Sequence, residues 1–160
     1  MPFPLSKSGS FRVVTSGPDE QNVVALEAAL FDWLADKKAR RITRSDHGIN
    51  FTAGVFRLVM NWNILVPVSS GEIRLAAQGG GIEISYHLRF TEMFVVVTAA
   101  VILLLGPELL SAPNLNAMEV TWLSLSAWLW LFGANYLVAI FRIPNALKNL
   151  AHQATGGSIV

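Results

Sequence analysis

Arg89-Phe90-Thr91-Glu92-Met93-Phe94-Val95-Val96-Val97-Thr98-Ala99-Ala100-Val101-Ile102-Leu103-Leu104-Leu105 is the stretch at which the pattern of this chain changes. Up to Arg89, apolar and polar residues alternate; over residues 93–105 no side chain is charged. Arg89 bounds the run on one side and Gly106-Pro107-Glu108 on the other. With Phe90 and the pair Leu109 and Leu110 included, the helix covers residues 90–110, about the twenty needed to cross a hydrocarbon core of roughly 30 Å. A second apolar run, residues 120–141, stops at Arg142-Ile143-Pro144. Either run alone fits a buried helix of a soluble protein. Two of them, separated by the turn-rich Ser111-Ala112-Pro113-Asn114-Leu115-Asn116, predict a two-helix transmembrane hairpin with residues 111–119 as its linker.

The cations give that hairpin a direction. Of twelve Lys and Arg, ten precede the first run and only Arg142 and Lys148 follow the second. The segment between the runs holds Glu108 and Glu119 and no cation. By the positive-inside rule both termini are cytoplasmic and the linker is not, which predicts an integral protein of a cytoplasmic (bacterial inner) membrane. Residues 142–160 form a cytoplasmic tail. Within it Leu147, Leu150, Ala151 and Ala154 can share one face of a short interfacial helix, with Lys148 at headgroup level; equally, the tail is a frayed continuation of the second span.

Composition agrees with an apolar half and a polar half. Hydrophobic residues make up 52% and charged residues 14% of the chain, where soluble proteins carry roughly a quarter charged. A net charge of +1 gives no concentrated basic surface for nucleic acid. Zero cysteines exclude disulfides, thiolate metal sites and cysteine nucleophiles. The first residues, with Pro2 and Pro4 and no apolar core, lack the pattern of a secretory signal, so residues 1–89 are expected to stay where they are made.

Those residues read as a small cytoplasmic α+β domain. Residues 10–16 are rich in β-branched side chains and predict a strand. Ser16-Gly17-Pro18-Asp19-Glu20 opens a helix, with a proline near the first turn and acids that suit its dipole. Val23, Leu26, Leu30, Trp33 and Leu34 then form one helical stripe. From Arg41 onward the period is two. Strands are expected over residues 41–45, 49–59 and, more briefly, 61–68, with Asp46-His47-Gly48 as a turn. The clearest hairpin is next: Ile73 and Leu75, a Gln78-Gly79-Gly80-Gly81 turn, then Ile82, Ile84, Tyr86, Leu88 and Phe90 alternating with polar residues. One helix on a four- to five-stranded, mainly antiparallel sheet follows. The strand ending in Leu88-Arg89-Phe90 enters the first span with no Gly, Ser or Pro between them, which holds the domain at a fixed pose.

Polar residues within the spans are costly in lipid and so draw attention: Thr98, Ser124, Ser126 and Asn135. Ser124, Trp128, Leu131 and Asn135 fall on one helical face, and Trp128 and Trp130 lie deeper than tryptophan's usual interfacial position. That face either packs on the first span, beside Thr98, Ala99 and Ala100, or meets another membrane protein, a lipid or a hydrophobic cofactor. The candidate contacts in the membrane are therefore Ser124, Trp128, Trp130 and Asn135. Ser126 and Gly133 can admit a close helix neighbour. Neither span interior holds an ionisable residue, which argues against a proton relay or ion path through this chain alone. The basic group Lys37, Lys38, Arg40, Arg41 and Arg44 suits anionic headgroups or an acidic partner, and suits equally a solvated helix end. His47, His87 and His152 have no metal-ligand spacing. Ser69, His47 and Asp46 make a triad on paper with no nucleophile elbow behind it. Gly79-Gly80-Gly81 joins two strands, so it is a turn and no phosphate loop.

The pattern as a whole leads to a non-catalytic accessory or scaffolding subunit, which docks on other membrane subunits through its hairpin and braces their cytoplasmic side. The alternative is a membrane-anchored module with a small-molecule or lipid-headgroup site in its cytoplasmic domain; an enzyme acting on lipids comes third. No catalytic residue or metal ligand is indicated, and the sequence leaves any cofactor unknown. The expected partners are membrane subunits and lipids, with no nucleic acid.

Overall fold

The structure, a computed structural model, describes residues 5–15, 18–45, 48–53, 63–111 and 116–159. Its elements follow the chain as β1 (Ser6–Val14), α1 (Asp19–Asp36), β2 (Arg40–Ser45), β3 (Gly48–Thr52), β4 (Ser70–Ala77), β5 (Gly81–Arg89), α2 (Thr91–Ser111), α3 (Ala117–Trp128), a π-helical segment (Leu129–Ala134), α4 (Asn135–Thr155) and β6 (Ser158–Ile159). The six strands form one sheet in the order β2-β3-β4-β5-β1-β6, each neighbour antiparallel to the next. The expected α+β class stands; the strand count does not. The expected four to five strands become six because the tail supplies one, Ser158 and Ile159 pairing with Val14 and Val13.

Alternation along the strands sorts the sheet into two faces, because successive side chains point to opposite sides. Phe11, Val13, Ile49, Phe51, Ile73, Leu75, Ile82, Ile84 and Leu88 make the buried face. On it lies α1, whose Leu26, Leu30 and Leu34 are fully buried, with Val23 and Trp33 at the margin. Asp19 anchors the start of this helix to the β4–β5 turn: one carboxylate oxygen accepts from Thr15 Oγ1 at 3.2 Å and the other from the Gly80 amide at 3.2 Å. That turn needs glycine, since Gly79 and Gly80 have φ of 47° and 83°. Beyond β3 the expected strand falls mainly on residues 54–62, outside the described ones; residues 64–67 are a turn and no strand.

The largest departure from the sequence reading concerns the tail. The helix continues past Arg142-Ile143-Pro144, as the second expectation for the tail has it, but it is not frayed. It runs on to Thr155, although Pro144 has no amide to donate to the Ile140 carbonyl. Ile143, Leu147 and Ala151 are buried against α1 and the sheet, so a second helix covers the core face. The residues expected to lie on a membrane surface thus belong to the domain core. Lys148, expected among headgroups, sits 5.8 Å from the ring centre of Phe11. Gly156, at φ 62°, ends the helix in a left-handed cap whose amide donates to the His152 carbonyl at 2.9 Å, and the chain turns back into β6.

At the other end of the molecule α2 and α3 form an antiparallel helical hairpin. The direction follows from its contacts: Phe90 meets Tyr136, Phe94 meets Phe132 and Trp128, and Thr98 meets Trp128. Asn116 caps α3 through a capping box with Glu119. Among the described residues one helix, Met118–Thr155, is long and apolar enough to cross a membrane, and only 17% of its most apolar window is buried; Thr91–Pro107 is apolar and shorter.

Candidate functional site

Three features of the structure are candidates for function: the junction, the hairpin and the open face of the sheet. At the junction β5 passes into α2 through Phe90, which is fully buried. Its amide donates to the Leu5 carbonyl at 2.8 Å and its ring meets Tyr136 edge-on at 5.0 Å. Beside it the Ser69 amide donates to the Arg89 carbonyl at 2.7 Å, while Ser69 Oγ accepts the Glu92 amide at 2.8 Å. Ser69 is therefore committed to capping α2, where a free amide would otherwise be stranded. The other members of the triad weighed from sequence, His47 and Asp46, lie outside the described residues.

In the hairpin, aromatic rings form a ladder. Trp128 stacks on Phe132 at 4.9 Å and Phe132 on Tyr136 at 5.8 Å, while Phe94 meets both Trp128 and Phe132 edge-on. These residues recur every four positions, wider than the 3.6 of an α-helix, and the intervening π turn keeps them on one side. Trp128 Nε1 donates to Thr98 Oγ1 at 3.0 Å, so this tryptophan faces the neighbouring helix. The face drawn from sequence is thus divided. Trp128 turns inward and Ser124 is half-buried, whereas Trp130 is 75% exposed and Asn135 is exposed. Asn135 Nδ2 donates to its own helix at the Leu131 carbonyl, 2.7 Å away, which satisfies part of an amide the sequence left open. Around the outside, Ile102, Leu103, Leu104, Trp122, Trp130, Leu137 and Phe141 are all exposed.

The basic group is divided as well. Lys37 Nζ pairs with Asp36 at 2.6 Å, and that hydrogen bond and charge hold the Asp36 carboxyl below its usual range. Arg44 turns to the helix side, 3.1 Å from Glu27 Oε1 and 5.2 Å from the centre of the Phe31 ring. Lys38, at φ 56°, lies in the turn after α1, and Arg40 accepts Thr52 Oγ1 on its carbonyl. Arg41 lines a cleft on the other side of the sheet.

That side is polar, and no described element covers it. A cleft of about 380 Å³ opens there between Arg41, Thr43, Asn50, Thr52, Ser70, Glu72, His87 and Arg89, over the backbone of Phe51 and Gly71. A second, of about 640 Å³, shares Glu72, His87 and Arg89 and extends toward Ser8, Ser10, Arg74, Glu83 and Ser85. Ser8 Oγ lies 2.7 Å from His87 Nδ1, and Glu72 pairs with Arg74 at 2.6 Å. The sequence placed His87 and Arg89 on a polar face by their alternation; it gave no means of seeing that Arg41 joins them, because that depends on strand order. No three His, Asp or Glu gather to hold a metal ion among the described residues.

No known protein family, no characterised protein and no solved structure matches this chain.

Proposed function

We propose that the protein is an accessory subunit of a larger membrane assembly, non-catalytic, with α2 and the α3–π segment spanning the bilayer and both termini in the cytoplasm. The observation that supports this most is the outward-facing apolar surface of the hairpin. Contiguous exposed apolar patches beyond a few hundred Å² are rare on soluble monomers. Lipid and the helices of a neighbouring subunit are the media that would cover it. The placement of cations at both ends and none in the linker supports the orientation.

Docking would pass through the hairpin, and the two rigid connections would carry it to the domain. One is the Phe90 junction and the other is α4, which is a hairpin helix at one end and a core helix at the other. A domain attached twice cannot swing freely, so it braces whatever lies beneath the hairpin. Native electrophoresis of source membranes solubilised in mild detergent tests this reading. The expected result is an assembly larger than the monomer that Trp130→Ala reduces or abolishes. A lone monomer from wild-type membranes would overturn the subunit role while leaving the membrane placement standing. The second reading, a membrane-anchored binding module, is favoured by one observation, the polar cleft on the sheet.

A further inference from the structure

The cleft between Arg41, His87 and Arg89 has the chemistry of a phosphate site, and its construction is unusual for an idle surface. Arg41 lies within a register shift of β2, between the pairs Arg40–Thr52 and Thr43–Asn50. Its φ is 46°, a left-handed backbone that a long side chain adopts at a cost. Bulges of this kind re-aim a side chain, and strained non-glycine residues gather where a function holds them. Here the bulge brings the Arg41 guanidinium to the open face, away from its chain neighbour Arg44. Arg89 comes to the same cleft from β5, one residue before the chain turns into the hairpin. Neither guanidinium has an ion-pair partner among the described residues. His87 Nδ1 is engaged by Ser8, and when Nδ1 accepts that hydroxyl proton, Nε2 carries the ring proton. The one carboxylate of the cleft, Glu72, is paired with Arg74.

We propose that this cleft binds a phosphate group, Arg41 and Arg89 holding its oxygens by charge-assisted hydrogen bonds and His87 donating a further one. Arginine's planar fork suits such an oxyanion better than a lysine does. The level of the cleft indicates where the phosphate comes from. Arg89 stands four residues before Met93, where the uncharged run begins, so on the proposed membrane placement it lies at headgroup depth. An anionic phospholipid then presents its phosphate at the cleft, and a free phosphate ester reaches it from solution. The binding chemistry itself does not depend on the hairpin docking to a partner.

Calorimetric titration of the full chain in neutral detergent, with dihexanoyl phosphatidylglycerol and separately with inorganic phosphate, tests the proposal. Saturable binding of either is expected, weakened about tenfold in Arg41→Gln and in Arg89→Gln, as for loss of one hydrogen bond to a charged group. Arg44→Gln removes equal charge on the other side of the sheet and should bind as wild type does. Binding of the lipid alone identifies a headgroup site; binding of both at similar strength identifies a site for phosphate whatever carries it. Arg41→Gly guards against a folding artefact: glycine relieves the positive φ, so this variant should melt no lower than wild type and still lose the ligand. Absence of binding by both ligands, or equal weakening in all three glutamine variants, would overturn the proposal.

Discussion

The two halves of the long C-terminal helix have opposite habits. Up to Phe141 most of its large apolar side chains point outward, Phe132 and Tyr136 of the aromatic ladder excepted: Trp122, Trp130, Leu137 and Phe141 are more than half exposed. After Arg142 they point inward, and Ile143, Leu147 and Ala151 are at most 1% exposed. One continuous helix therefore carries two kinds of surface. A helix that is apolar all round needs an apolar medium, while one with a single apolar stripe needs a protein core on one side and water on the other. On the proposed membrane placement, the change of pattern at Arg142 is where lipid gives way to the domain. At about 1.5 Å per residue the 38 residues of Met118–Thr155 are about 57 Å long, nearly twice a hydrocarbon core of roughly 30 Å. On the proposed placement the surplus is the part buried in the domain.

Substitutions separate the halves. The largest effect is expected in the inward half: Leu147→Ala removes a fully buried side chain between α1 and the sheet and should destabilise the domain by about 2–5 kcal/mol, measurable by denaturant melting in detergent. The corresponding truncation outside, Leu137→Ala, should shift the same melt by much less. Next comes a charge on the outward surface. Leu103→Arg in α2, at a position 73% exposed, should raise the cost of membrane insertion by about 2.5–3.5 kcal/mol and lower the inserted fraction in a glycosylation-mapping assay. On a water-facing helix the same change would alter stability by at most about 0.5 kcal/mol, so normal insertion of this variant would break the comparison. Thr98→Val, which leaves Trp128 Nε1 without its acceptor, should loosen the hairpin by about 1 kcal/mol, read as lower melting with the domain's secondary structure retained.

The smallest effect is at alkaline pH. Burial raises the phenol of Tyr86, whose ring lies over Gly9. The folded state thus favours the neutral phenol. Stability from this group is fully present below the ordinary phenol value near about 10 and declines as pH rises above it. Tyr86→Phe should flatten that decline in melts taken from neutral to strongly alkaline pH, and an unchanged slope would remove Tyr86 as its cause.

The sequence carried the local rules well. Alternation in Ile82, Ile84, Tyr86 and Leu88 marked a strand and its buried face, and the stripe of Leu26, Leu30 and Leu34 marked the face of α1. The glycine turn joining β4 to β5 lay where the residues demanded it. Long-range placement was beyond it. Arg142-Ile143-Pro144 reads as a stop, because a charge ends the apolar run and a proline removes a helical hydrogen bond; tertiary packing of Ile143, Leu147 and Ala151 overrides that local cost. Ser158 and Ile159 are too short a run to announce a strand, and only the exposed edge of β1 gives them a partner. Trp128 and Asn135 appeared on one face because the reading assumed 3.6 residues per turn, and the π segment between them changes the count. For the open cleft, alternation placed His87 and Arg89 together, whereas Arg41 comes from a strand three places away in the sheet and through a bulge that no local pattern signals.

The claim on which all this depends is that the hairpin crosses a bilayer while β1 and β6, which pair with each other, stay together on its cytoplasmic side. The absence of native cysteine makes a direct measurement simple. Single cysteines are placed at Asn114 in the linker, Ser85 on β5 and Ser158 on β6, and each variant is treated with a membrane-impermeant maleimide in sealed right-side-out vesicles. Labelling of the Asn114→Cys variant alone, with Ser85→Cys and Ser158→Cys reacting only after permeabilisation, is the predicted result. Labelling of all three in sealed vesicles, or of Ser158→Cys without Ser85→Cys, would contradict it.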